Sequence, residues 1–152
     1  MARLAVDGTK SIYFEDLGGA GRALIMIHGW GMDNRCWDGV ILPLQSAGHR
    51  VITMDHRGCG RSDHDFADLS IAAIASDVVA LVDHLQLSEV VVNGWSLGGA
   101  VATHAASLLG DRWVATAPPS DHPFTTASES CRWSTSATTS LAMAAMLRSA
   151  KS

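Results

Sequence analysis

Val90-Val91-Val92-Asn93-Gly94-Trp95-Ser96-Leu97-Gly98-Gly99 is the stretch on which the reading of this chain turns. Three consecutive valines suit a strand buried on both faces of a sheet. Leu97 to Leu109, rich in small residues, reads as a helix. Between them lies G-x-S-x-G, placed where a strand hands over to a helix, which is the setting the pattern requires. A serine in so sharp a turn takes strained dihedrals, at roughly 1–3 kcal/mol. A side chain at 94 or 98 would collide with the neighbouring strand or helix. The turn pushes the Ser96 hydroxyl out of the sheet at the positive end of the following helix. Ser96 is the candidate nucleophile; the alternative is a plain tight turn.

The segments before it have the same grammar. Ala23-Leu24-Ile25-Met26-Ile27 and Arg50-Val51-Ile52-Thr53-Met54 are further apolar runs without alternation. Leu4-Ala5-Val6 and Ser11-Ile12-Tyr13-Phe14-Glu15 flank Asp7-Gly8, a hairpin signal. Trp37, Val40, Ile41, Leu44 and Ala47 share a helical face, interrupted by Pro43 and ended at Gly48. Ile71, Ile74, Val78, Leu81, Val82 and Leu85 give the clearest helical stripe, with Ser70 or Asp68 as cap and Asp77 and Asp83 read as off the stripe. The order β-β-β-α-β-α-β-α predicts an α/β fold, a mainly parallel sheet with helices on both faces. Chemistry in such folds lies at the carboxyl ends of the strands.

Two further loops fall there. His28-Gly29-Trp30-Gly31 ends one strand. The backbone N–H of Trp30, with that of Leu97, would form an oxyanion hole beside Ser96. His28 reads as a brace for its loop rather than as a general base. Asp55-His56-Arg57-Gly58-Cys59-Gly60-Arg61-Ser62 is read as architecture, with Asp55 and Arg57 tying a tight reversal. Neither a dinucleotide fingerprint nor a Walker A loop is present, and no cofactor is called for.

Composition sets outer limits. The chain has 152 residues, 47% hydrophobic and 17% charged, with net charge −4, as expected of one folded domain. No basic block suits nucleic acid, and no apolar run nears the roughly 20 residues that span a bilayer. Cys36, Cys59 and Cys131 are odd in number and widely spaced, against a disulfide framework or a metal site. The N-terminus shows no secretory signal, so the cytoplasm is the expected location.

The three loops together resemble the α/β-hydrolase superfamily, over residues 11 to 112. The H-G-W opening, Trp37 and the D-x-R-G-x-G-x-S loop are similar to small esterases, lactonases, prolyl iminopeptidases and cofactor-free haloperoxidases. The resemblance implies Ser96 as nucleophile, oxyanion donors at Trp30 and Leu97, and an acid and a base histidine later in the chain. Residues 1–112 are read as the amino-terminal part of such a domain, and 113–152 as an atypical Ser/Thr/Ala-rich tail. Trp113 to Pro119 resembles the family's next strand. Asp121 and His122 are the only acid and base candidates in the tail, and one loop would not present both to a single serine. A truncated or frameshifted hydrolase gene gives such a pattern, with the sheet incomplete on its C-terminal side. The exposed edge would then invite self-association.

Three functions fit. One is a serine hydrolase acting on a small-molecule ester or related acyl substrate, weakly active as it stands. The others are a non-catalytic hydrolase-like binding module and a non-functional fragment. A dehalogenase would need a carboxylate in place of Ser96 and is rejected.

Overall fold

The computed structural model describes residues 2–117. Six strands form one sheet: β1 (Ala2–Asp7), β2 (Lys10–Asp16), β3 (Ala23–Ile27), β4 (Arg50–Asp55), β5 (Val90–Gly94) and β6 (Trp113–Ala117). Their spatial order is β1-β2-β4-β3-β5-β6. The first two strands form an antiparallel hairpin that joins β4 antiparallel, while β4, β3, β5 and β6 run parallel. Three helices intervene: α1 (Asp38–Ser46), α2 (Ile71–His84) and α3 (Leu97–Leu109).

The uninterrupted apolar runs are explained by burial on both faces. Alternation of side chains sends Ile25, Ile27, Ile52, Met54, Val90 and Val92 into one core, beneath α2 and α3. It sends Leu24, Met26, Val51 and Val91 into a second core beneath α1. From β3 the chain moves through α1 to one neighbour, β4, then back through α2 to the other, β5. A right-handed crossover in each direction places the helices on opposite faces. The strand order therefore reverses around β3, and the carboxyl ends of β3 and β5 are where sheets of this kind bind their ligands.

Local signals behave as expected at several ends. Ser70 caps α2, its hydroxyl accepting from the Ala73 N–H. Gly48, after α1, has φ +91°. Pro43 sits inside α1, which is preceded by a short 3-10 turn at Asn34–Trp37 capped by Asp33.

The sheet continues with Trp113–Ala117, which pairs parallel with β5, as the resemblance of that segment to the family's next strand implies. One expectation changes. Asp77 is not off the apolar stripe of α2: it is 2% exposed and faces the interior. Its spacing explains this, since Ile74, Asp77, Val78 and Leu81 fall at i, i+3, i+4 and i+7, one face of a helix. Asp121, His122 and the rest of the Ser/Thr/Ala-rich tail beyond residue 117 lie outside the described residues.

Candidate active site

Ser96 occupies the turn between β5 and α3 with φ +55° and ψ −120°. Besides it, only Gln86 among the described non-glycine residues has a positive φ. The strain persists because the flanking contacts leave no room for another path. A Cβ on Gly94 would lie 1.9 Å from the Gly98 carbonyl oxygen, and one on Gly98 would lie 2.2 Å from that of Ile27. The glycines thus let the turn fold back on itself and let α3 sit against the end of β3. The Trp95 N–H donates to Ile27 O and the Gly98 N–H to Trp95 O, closing the turn. Ser96 is half-buried, and its side chain makes no cap hydrogen bond to α3.

The loop after β3 lies against this serine. A Cβ on Gly29 would come within 3.3 Å of the Ser96 Cβ and 2.7 Å of the Trp95 ring. Glycine is needed there for close approach. Trp30 follows, its indole 65% exposed. Neither the Trp30 N–H nor the Leu97 N–H has an acceptor among the described residues.

His28 is fully buried, and its ring serves the loops around it. Nδ1 lies 2.7 Å from Gly29 O, and Nε2 lies 3.3 Å from the His56 backbone nitrogen. The His56 ring stacks on it, with centroids 4.1 Å apart and planes at 25°. Burial holds the His28 pKa below its ordinary value. Burial, reinforced by the like charge His28 would carry, lowers that of His56 to about 4. Both rings are neutral near pH 7.

Asp55 ties the third loop to the first. One carboxylate oxygen accepts from the Asn34 N–H at 2.6 Å and the other from the Arg61 N–H at 2.8 Å. Gly60, with φ +53°, fits there because a Cβ would meet the Asp55 carboxylate at 2.3 Å. Arg57 makes a buried, two-pronged ion pair with Asp77, at 2.7 and 2.6 Å. It also bonds Asp68 O and lies over the Phe66 ring. Burial raises the Asp77 pKa more strongly than Arg57 lowers it.

The structure thus brings together the loops carrying Ser96, Trp30 and Leu97. It places no described histidine on the Ser96 hydroxyl: His28, His56 and His64 engage the backbone of Gly29, Arg57 and Gly60. His104 sits exposed on α3. Sequence reasoning missed the His28–His56 stack, since nothing local marks two rings 28 positions apart as partners. It also missed the Arg57–Asp77 pair, for which the spacing of Asp77 on α2 was an available signal. Among the described residues no group of three His, Cys, Asp or Glu is placed to hold a metal. No described helix is long and apolar enough to cross a membrane.

A family model for the alpha/beta hydrolase fold matches residues 22–127. The chain belongs to the α/β-hydrolase family. Among curated relatives, a non-heme haloperoxidase of Rhodococcus erythropolis is 39% identical over 110 residues, which cover 69% of this chain and 39% of that protein. A pimeloyl-acyl-carrier-protein methyl ester esterase of Photobacterium profundum is 43% identical over 94 residues, covering 62% of this chain and 35% of the esterase. Among solved structures, a thermophilic esterase from Thermogutta terrifontis superposes with a TM-score of 0.69 at 31% identity, over 76% of this chain and 44% of that one. The chain therefore spans about two fifths of the length of these hydrolases.

Proposed function

We propose that this α/β-hydrolase chain carries the nucleophile half of a serine esterase site, acting on a small-molecule ester or related acyl substrate. Ser96 attacks the acyl carbon, and the backbone N–H groups of Trp30 and Leu97 receive the oxyanion. The observation that carries this reading is the strained Ser96 backbone, held against Gly29 by glycines that admit no Cβ. Such strain is kept where the surroundings impose it, and the reading is supported by the Trp30 and Leu97 N–H groups, which have no acceptor among the described residues. The names of the relatives, esterase and haloperoxidase, agree with acyl chemistry on a serine.

A second reading has one observation in its favour. The Ser96 hydroxyl has no histidine partner among the described residues, which favours a module that binds an acyl compound without turning it over. Fluorophosphonate labelling with peptide mapping, beside p-nitrophenyl acetate hydrolysis, separates the two. The hydrolase reading expects label on Ser96 and slow turnover, both abolished in Ser96→Ala. Loss of a triad member in serine hydrolases leaves roughly 10³–10⁴-fold catalysis over water, and turnover in that range is expected. Label elsewhere, or activity unchanged in Ser96→Ala, would overturn it.

Two lesser parts of the proposal concern surroundings. The buried, unbridged thiol of Cys59 suits a reducing cytoplasm. Self-association through the β6 side of the sheet is expected, and sedimentation equilibrium over a range of concentrations tests it.

A further inference from the structure

The loop that carries the Trp30 N–H is held by an arrangement the catalytic reading does not use. His28 Nε2 faces the backbone N–H of His56, a donor, so in the neutral ring that nitrogen carries no proton. The proton is on Nδ1, which donates to the Gly29 carbonyl at 2.7 Å. That carbonyl also accepts from the Met32 N–H at 3.3 Å. Gly29 C=O and Trp30 N–H are opposite edges of one planar, trans peptide, so fixing the carbonyl fixes where the N–H points.

We propose that the stacked His28 and His56 rings are positioning residues that latch the Gly29–Trp30 peptide and release it in acid. This rests on the reading of Trp30 as an oxyanion donor. A proton added to His28 must go on Nε2, where it meets the His56 N–H head-on and a donor faces a donor. A proton added to His56 goes on its Nε2, a buried atom with no partner in the neutral ring; the Gly29 backbone and Asp55 favour the charged form, but burial and the neighbouring His28 oppose it more strongly. It also sets a second positive charge on a ring stacked at 4.1 Å.

The charged surroundings are few and fixed. Asp55, at the end of β4, has an oxygen 4.0 Å from His28 Nε2, but its carboxylate is committed to the Asn34 and Arg61 N–H groups. Asp33, before the 3-10 turn, favours the charged form of His28 and is itself paired with Arg35. Cys59, in the loop after β4, bonds the Gly31 backbone and is kept as a neutral thiol by burial. The hydrogen bonds of both rings go to backbone groups, with Asp55 standing off at 4.0 Å, and burial dominates for both, with pKa values held below the ordinary histidine value.

The test is histidine-ring and backbone 15N NMR of the full chain, titrated from neutral pH downward. At neutral pH His28 is expected in the Nδ1–H form. The Trp30 amide shift is expected to move in acid with the same midpoint as the His28 ring, below 6.5. His28→Gln keeps one donor and one acceptor but cannot titrate, and should abolish the pH dependence of the Trp30 shift. His28→Ala should displace that shift already at neutral pH. A His28 ring protonated on Nε2 overturns the proposal in the wild-type chain alone, whether or not the variants fold. A Trp30 amide that ignores the His28 titration, or that changes only with global loss of dispersion, also overturns it. Ser96 labelling is read separately: a working latch without label would sink the esterase reading and leave this one standing.

Discussion

Replacing Asp77 by alanine should cost about 3–5 kcal/mol of folding stability, because it strands a buried guanidinium. Arg57 and Asp77 are 6% and 2% exposed, so solvent screens neither charge. Asp77 accepts from both Nε and Nη2 of Arg57, at 2.7 and 2.6 Å. Without it the guanidinium keeps only the Asp68 carbonyl and the face of Phe66. Arg57→Ala should cost less, toward about 3 kcal/mol, because the abandoned Asp77 has an escape. Burial already raises its pKa, and losing Arg57 raises it further, so it can take up a proton. The double variant Arg57→Met/Asp77→Leu should lie within about 1 kcal/mol of the wild type, since it leaves no buried charge unpaired. Urea denaturation followed by circular dichroism reads all three. With a slope of about 1–3 kcal/mol per molar, the Asp77→Ala midpoint should fall by roughly 1–5 M. Single variants each losing less than about 1 kcal/mol would refute the argument, as would a double variant losing the sum of both.

Gly94→Ala and Gly98→Ala each drive a Cβ into a backbone carbonyl, so each should lose about 1–3 kcal/mol and Ser96 labelling with it; wild-type labelling would mean the turn has slack. Ser70→Ala removes the α2 cap and should cost about 1 kcal/mol in the same urea assay, with no loss of Ser96 labelling. The His56 pKa is about 4 when folded against 6.5 when free, so the unfolded chain binds the proton more readily. Its contribution is therefore full above about 6.5 and lost as pH falls toward 4, by a few kcal/mol in all. His56→Phe should flatten stability across that window, and an unchanged slope would show that other groups govern it.

Much of this molecule was legible along the chain, and the reason is local. The unbroken runs at Ala23–Ile27 and Val90–Gly94 can be satisfied only by burial on both faces, which already demands helices above and below. Gly94, Ser96 and Gly98 state their own geometry, because a turn without room for a Cβ leaves a signature at fixed spacing. The Ser70 cap and the Gly48 stop belong to the same class.

Tertiary structure alone decided the rest. Strand order is one such matter, since nothing in β4 or β5 says which flank of β3 each will take. Another is the register of the Trp113–Ala117 strand on β5, with its irregularity between Val90 and Val91. The Arg57–Asp77 pair and the His28–His56 stack depend on register between strands and a helix distant in sequence. A polar side chain's worth is set by whether a partner arrives when water is removed, and only the packed chain supplies the partner. Ser96 stands between the two cases: its backbone is written locally, while the placing of Gly29 beside it is the work of the sheet.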